Sequence, residues 1–287
     1  MKQPTEVLHP ELFDKIPFVG GEVRSEMARY ASEAVASPDA PKASIVIRTR
    51  NEKAHLEALL DDIQAQEGSN DTQVIVVDNE STDGTKEVAE ARANKLITIP
   101  KGEFTYPKSM NLGVEAADNP VVYLTVGHAL MSTAKTLIAA RNHFKDPNVA
   151  GVFANVFPGP NASLIERLAT MNTSLTMHDA HAIEAVTPGV MGATSAALSK
   201  EIWEQLGRFD ERYESGGEDT VLAHKMLDHG YDLIFDPLLN VHHSHGLGPI
   251  NGIKQIREWG KNLKGPVVLD KDALLKRRPD LRKREQS

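Results

Sequence analysis

The sequence predicts an α/β fold in which a mostly parallel sheet is covered by helices on both faces. From Ala43 onward, short apolar runs alternate with amphipathic stretches, a pattern typical of a parallel sheet with helices on its faces. The apolar runs are continuous, as in strands that are buried on both sides. Apolar residues make up 40% of the 287 residues, which is enough for a substantial core.

The first half of the predicted domain repeats one strand and one helix at a time. The predicted strands are ASIVIR, TQVIVVD, KLITIP and PVVYLTV, and the helices between them are NEKAHLEALLDDIQAQ, TKEVAEARAN and YPKSMNLGVEAA. After residue 150 the pattern is less regular. There NVAGVFANVF and VTPGVMGATSAAL indicate strands, whereas EIWEQL and EDTVLAHKMLDHG indicate helices.

Three regions are predicted along the chain. Residues 1–41 form an N-terminal arm that ends in the breaker-rich SPDAPK, residues 42–247 form the main domain, and residues 248–287 form a C-terminal helical extension with a basic tail. Residues 271–287 hold seven Lys or Arg against three Asp or Glu. Such a tail could contact anionic lipid, or it could be a solvated helix end.

Composition limits the classes of function. The absence of cysteine excludes disulfides, thiolate metal sites and cysteine nucleophiles, so histidines and carboxylates remain as metal ligands. The net charge of −8 argues against a nucleic-acid partner. No apolar run approaches the about eighteen residues of a membrane span, and the first residues, MKQPTEVLHPELF, are charged. We therefore expect a cytoplasmic protein, with the basic tail as its one candidate for peripheral membrane contact.

Polar residues follow the first two predicted strands. Thr49, Arg50 and Glu52 come after the first strand, and Asp78 ends the second. Ligands of open α/β sheets bind in the crevice beyond such strand ends. A carboxylate there can accept a hydrogen bond from a base or ribose, and Arg50 with nearby amides can bind phosphate. Alternatively, Asp78 merely forms the turn that precedes the next helix.

An acidic pair begins the helix EDTVLAHKML. Glu218 comes three residues after Ser215, which is the spacing of a capping box. Asp219 instead shares a helix face with apolar residues three, four and seven positions later. A carboxylate on the apolar face of a helix requires a functional or structural reason. Asp219 is therefore the candidate catalytic residue.

Histidines cluster in VHHSHG. His243 and His245 are two residues apart, so in an extended segment they point to one face, while His242 points to the other. The pair could chelate a metal ion. It could also line a polar loop or bind phosphate.

Five segments together resemble the family 2 glycosyltransferases of GT-A fold, whose sheet is Rossmann-like. They are SIVIRTRNE, VIVVDNESTDGT, FTYPKSMNLGVEAA, VVYLTVGHAL and FDERYESGGEDTVLAHKMLDHG. The resemblance implies an inverting transfer of a sugar from a nucleoside diphosphate donor to a hydroxyl acceptor, such as a glycan or a lipid-linked sugar. It assigns the proton-accepting role to Asp219, with Glu218 as a supporting residue. It implies these donor-site residues: Thr49, Arg50, Glu52, Asp78, Lys108 and Asn111.

The metal site departs from the pattern of that family. Its members usually carry an Asp-rich motif after the fourth strand, where this chain has TVGHA and His128 stands in place of the aspartate. With His243 and His245, His128 would bind a divalent metal, and imidazole favours Mn²⁺ over Mg²⁺. Alternatively, His128 is a neutral hydrogen-bonding group or a cation that faces the diphosphate.

Two other functions compete with this prediction. A sugar-1-phosphate nucleotidyltransferase shares the sheet layout, although the chain lacks the expected glycine-rich, basic N-terminal loop. A non-catalytic nucleotide-sugar binding protein would account for the missing Asp-rich motif. Gln255, Arg257 and Trp259 are similar to a signature of processive synthases, but their spacing differs from it, and processivity is not predicted.

Overall fold

The computed structural model describes residues 6–164, 166–168, 179–187, 189–214, 216–246 and 267–268. Ser215, Gln255, Arg257 and Trp259 lie outside these ranges, as does nearly all of the predicted C-terminal extension with its basic tail. None of the helices in the described ranges is both long and apolar enough to cross a membrane.

The residues that the structure describes form thirteen strands. They are β1 Ala43–Thr49, β2 Gln73–Asp78, β3 Lys95–Thr98, β4 Val121–Val126, β5 Leu130–Met131, β6 Val149–Phe153, β7 Val156–Pro158, β8 His181–Ala182, β9 Ala185–Val186, β10 Ser195–Ser199, β11 Asp232–Phe235, β12 Val241–His243 and β13 Val267–Val268.

The described residues form eight named α-helices. They are α1 Pro10–Phe13, α2 Gly20–Glu33, α3 Lys53–Gln64, α4 Thr85–Arg92, α5 Tyr106–Ala116, α6 Thr136–His143, α7 Lys200–Gln205 and α8 Glu218–Asp228. Short 3₁₀ turns occupy Ser69–Asp71, Lys101–Glu103 and Pro237–Leu239.

Eight strands build the main sheet in the order β3-β2-β1-β4-β10-β6-β11-β8. Strands β3, β2, β1 and β4 are parallel to one another, as their alternation with helices predicts. Strand β10 then inserts antiparallel between β4 and β6. The α/β prediction is confirmed, and the antiparallel insertion marks the point where the sequence pattern becomes irregular.

The two faces of the sheet bury two apolar layers. Ile45 and Ile47 of β1 pack with α2, α3 and α6, whereas Val46 packs on the other face with α5, α7 and α8. Alternate side chains of a strand point to opposite faces, so a strand between two helix layers must be apolar throughout. This accounts for the continuous apolar runs in the sequence.

The predicted N-terminal arm contributes to the first of these layers. Phe13 at the end of α1 and Met27 within α2 are fully buried in it, and Val7 forms a β-bridge with Thr133. The segment before SPDAPK is thus packed against the sheet.

A small second sheet has the order β5-β12-β7. Strand β12 is antiparallel to β5, with His242 opposite Leu130, and parallel to β7, with His242 opposite Phe157. This pairing brings the VHHSHG segment beside the loop that follows β4.

Candidate active site

A cavity of about 670 Å³ opens beyond the carboxyl ends of β1 and β4. Strand ends, two loops and the start of α8 contribute its wall. The polar residues that line it include Arg48, Thr49, Arg50, Glu52, Asn79, His128, Glu218, Asp219, His243 and His245. Residues from five distant parts of the chain therefore share one cavity, at the place where ligands of open α/β sheets bind.

Three histidines form a cluster on one side of this cavity. Candidate ligand atoms of His128, His243 and His245 all lie within 4.8 Å of one another. The ring centroid of His128 is 4.6 Å from that of His243 and 5.2 Å from that of His245. The pairing of β12 with β5 causes this approach, because it aligns the segment before Leu130 with the segment after His242. The predicted grouping of these histidines is found in the structure.

The orientation of His128 is determined by Glu52. Nδ1 of His128 lies 2.6 Å from Oε1 of Glu52, and Thr49 donates its hydroxyl to the other oxygen, Oε2, at 2.9 Å. A carboxylate can only accept hydrogen bonds, so Nδ1 of His128 carries the proton. Nε2 of the same ring is buried and has no hydrogen-bond partner among the described residues.

Burial keeps the other two histidines neutral. It lowers the pKa of His243 well below its ordinary value, and the neighbouring His128 lowers it further. Burial likewise lowers the pKa of His245. Neutral imidazole is the form that binds metals. His242 points the opposite way, as the alternation predicts: it packs edge-on against Phe13 with centroids 4.8 Å apart, and burial lowers its pKa to about 3.

Two adjacent carboxylates at the start of α8 line the same cavity as the histidines. The helix follows Gly217, whose φ of +97° favours glycine. Glu218 is only 5% exposed, and its Oε2 is buried without a partner among the described residues. Burial raises the pKa of Glu218 to about 7, and the charge of Asp219 adds to this effect.

Asp219 has one oxygen engaged locally. Its Oδ1 accepts the backbone N–H of Thr220 at 2.6 Å and the hydroxyl of Thr220 at 3.2 Å. Burial raises the pKa of this carboxyl, while the Thr220 hydrogen bonds and the charge of Arg48 oppose that rise. The predicted inward face of the helix is confirmed, because Leu222, Ala223 and Met226 are buried.

Arg48 and Asn79 are cavity residues that the sequence motifs do not identify. The guanidinium of Arg48 lies over the ring of Tyr106, with 5.0 Å from Cζ to the centroid. Arg48 Nε and Asn79 Oδ1 are both buried and lack hydrogen-bond partners in the part of the chain that the structure describes. An arginine within the otherwise apolar run ASIVIRT was the signal that could have identified the first of them.

Three predicted donor-site residues do not line the cavity. Asp78 is fully buried beside Thr49 and accepts the N–H and hydroxyl of Ser81, which is the alternative role as a turn residue. Lys108 forms an ion pair with Glu103 at 2.8 Å. Asn111 is also buried away from the cavity: it donates to the carbonyl of Phe209 at 3.0 Å and accepts the N–H of Phe209 at 3.1 Å.

Sequence comparison relates the chain to bacterial glycosyltransferases. It is 28% identical over 185 residues to the O-antigen chain rhamnosyltransferase WbaN of Salmonella anatum, covering 62% of this chain and 58% of that protein. It is 26% identical over 215 residues to the O-antigen chain rhamnosyltransferase RfbN of Salmonella typhimurium strain LT2, covering 72% and 68%. The chain thus spans less than two thirds of the length of WbaN.

Solved structures share the fold at low sequence identity. One is the mannosyltransferase PcManGT from Pyrobaculum calidifontis in complex with GDP-Man and Mn²⁺, with a TM-score of 0.53, 22% identity, and coverage of 82% of this chain and 68% of that one. Another is GalNAc-T7 with UDP, GalNAc and Mn²⁺, with a TM-score of 0.57, 13% identity, and coverage of 90% and 58%. The fold is therefore of GT-A type.

A sequence profile of glycosyl transferase family 2 matches residues 44–206. The match contains all of β1 except Ala43, the following loop with Glu52, and His128. It ends before Asp219, His243 and His245, which the tertiary structure brings to the same cavity. Since the matched segment is more than half of the chain, the protein belongs to glycosyl transferase family 2.

Proposed function

We propose that the chain is an inverting glycosyltransferase that moves a sugar from a nucleoside diphosphate donor to a hydroxyl acceptor. The observation that carries this proposal is the arrangement of one cavity, in which two carboxylates at the start of α8 share the wall with three clustered histidines and the end of β1. A transferase needs a base for the acceptor and a site for the leaving diphosphate, and these groups can supply both.

The nucleotide of the donor would lie at the end of β1. Thr49, Arg50 and Asn79 line the cavity there, and the buried amide oxygen of Asn79 has no partner among the described residues, so it could accept a hydrogen bond from a base or ribose. Asp78 is adjacent to Thr49 and could join them if its turn with Ser81 rearranges. Lys108 and Asn111 are not included, because each is engaged elsewhere.

The diphosphate would lie against a divalent metal held by His128, His243 and His245. The site fits a metal because Nε2 of His128 is buried and free of partners in the described ranges, while burial keeps its neighbours neutral. A bound ion would offset the negative charge of the leaving diphosphate. Nitrogen ligands favour Mn²⁺ over Mg²⁺, and both solved relatives named above contain Mn²⁺.

Asp219 would act as the general base. The acceptor oxygen forms a bond to the anomeric carbon as the bond from that carbon to the diphosphate oxygen breaks, and the hydroxyl proton passes to Asp219. Displacement from the opposite side inverts the anomeric configuration. Arg48 favours the ionised, proton-accepting form of Asp219, since its charge opposes the effect of burial on the pKa.

The donor sugar is proposed from the relatives. Both curated relatives are rhamnosyltransferases, so we propose a nucleoside diphosphate deoxyhexose, with rhamnose as the first candidate. The test is release of nucleoside diphosphate from a panel of nucleotide sugars with Mn²⁺, with and without saccharide acceptors. Release from one donor that increases with acceptor supports the proposal. Donor binding without any release supports a non-catalytic binding protein, and pyrophosphate formation from a sugar 1-phosphate and a nucleoside triphosphate supports a nucleotidyltransferase.

A further inference from the structure

Glu52 lies beside the histidine cluster, and the profile match and the resemblance leave its carboxylate without a role toward the metal. We infer that Glu52 is a positioning residue for that site: its carboxylate holds His128 as the tautomer protonated on Nδ1 and aims Nε2 at the ion. This inference rests on the metal site proposed above. It gives the chain a carboxylate that acts on the ion through an imidazole.

The first support is that both oxygens of Glu52 are already engaged. Oε1 is 2.6 Å from Nδ1 of His128, and Oε2 accepts the hydroxyl of Thr49 at 2.9 Å. The Glu52 side chain is only 19% exposed and that of His128 only 21%, so water competes little for the pair. A metal-binding histidine commonly donates its other N–H to a carboxylate in this way, which fixes the ring and increases its basicity.

The second support is that the backbone of Glu52 is fixed by the neighbouring loop. Its N–H donates to the hydroxyl of Thr85 at 2.8 Å. The preceding Asn51 has a positive φ of 51° and donates its own N–H to the Ser81 hydroxyl at 2.8 Å. The loops after β1 and β2 thereby hold the carboxylate in position before any ligand binds.

The third support is the glycine next to His128. A Cβ at Gly127 would lie 2.4 Å from Oε2 of Glu52 and 2.5 Å from Oγ1 of Thr49, so an alanine there would force these two side chains to move. Gly127 thus leaves the space that the carboxylate occupies. In TVGHA, Gly127 therefore leaves room for the Glu52 carboxylate, and His128 supplies the nitrogen that binds the ion.

The test measures metal affinity independently of turnover. Metal-free protein is titrated with Mn²⁺, followed by electron paramagnetic resonance, and with Co²⁺, followed by its visible absorption. Compared with wild type, Glu52→Gln should raise the Kd by about 10- to 100-fold, the usual cost of losing such a partner of a metal ligand. Gly127→Ala should raise it as well, because it displaces Glu52 without changing a ligand.

The matched control is Glu90→Gln, which neutralises an exposed carboxylate on α4 that is paired with Lys86 at 3.7 Å. It should leave the Kd unchanged, and circular dichroism should show all variants folded. If Glu52→Gln binds metal with a wild-type Kd, the inference is wrong while the metal site stands. If wild type binds no metal, the metal site itself is wrong and the inference fails with it.

A second readout separates positioning from bulk electrostatics. Nitrogen-15 NMR of metal-free wild-type protein should show His128 protonated on Nδ1 and bare on Nε2. The opposite tautomer would overturn the inference even if Glu52→Gln weakens metal binding, because Glu52 would then act only through its charge.

Discussion

Replacement of Asp219 by Asn removes the proposed base with little change in shape. The amide oxygen of Asn can still accept the two hydrogen bonds from Thr220, which now reach Oδ1 of Asp219 at 2.6 and 3.2 Å. Leu222, Ala223 and Met226 behind it remain packed. We therefore expect the fold and the cavity to persist in Asp219→Asn and the proton acceptor to be lost.

The expected loss can be bounded. A positioned general base accelerates a reaction by about 10² to 10⁴, so kcat should fall by that factor, equivalent to about 2.7 to 5.5 kcal/mol in the barrier at about 1.36 kcal/mol for each tenfold change. The donor Kd should change little, because the proposed donor contacts lie at the end of β1 and at the histidines.

The assay is nucleoside diphosphate release at saturating donor and acceptor, combined with calorimetric donor binding. Glu218→Gln is the matched control, since it removes the adjacent carboxylate from the same helix turn. If Asp219→Asn keeps more than a tenth of the wild-type kcat, Asp219 is not the base. If Glu218→Gln loses more kcat than Asp219→Asn does, the proton passes to Glu218 instead.

Three further outcomes are expected. Donor binding measured by calorimetry should be stronger with Mn²⁺ than with Mg²⁺, should weaken on addition of EDTA, and should lose its metal dependence in His128→Ala. A donor Kd that EDTA does not change in the wild type would argue against the metal site. Burial raises the pKa of Glu218 from 4.5 to about 7 in the folded protein, so the contribution of this group to stability is present below about pH 4.5 and is lost as the pH rises through 7. Urea unfolding should therefore show that Glu218→Gln gains stability relative to wild type between pH 5 and pH 8, by at most about 3 kcal/mol. Parallel pH profiles of the two proteins would contradict this. Gly113→Ala should lower the free energy of unfolding by about 1 to 3 kcal/mol, because its Cβ would lie 2.2 Å from Cγ1 of Val46 on β1. The control Gly21→Ala, whose Cβ would have no neighbouring atom within 4 Å, should be neutral or stabilising. Equal effects of the two substitutions would refute the packing argument.

Much of the local structure followed from short-range patterns. The continuous apolar run of β1 and the helical spacing around Asp219 each depend on residues within a few positions, and alternation along an extended segment separated His242 from His243. Such periodicities reflect backbone geometry that neighbouring residues determine together. Family-specific segments added the assignment to glycosyl transferase family 2, which the profile match confirms.

The tertiary structure decided which of these residues meet. His128 and His243 lie more than a hundred positions apart, and only the pairing of β12 with β5 brings them together. Glu52 was predicted as a donor contact, yet in the structure its oxygens face His128 and Thr49. Asn111 was predicted near the donor, and its amide is instead used by Phe209.

The sequence by itself therefore determined the regular first half of the sheet, β1 to β4 with α3 to α5. It also determined the inward face of Asp219 and the alternation of His242 with His243, because these depend on local backbone geometry. Only the tertiary structure decided the partners, because long-range strand pairing and close packing select one contact among many that the same residue types allow. The buried nitrogen of His128 and the carboxylate behind it belong to that second category. No local pattern distinguishes a glutamate that binds a nucleotide from one that orients an imidazole.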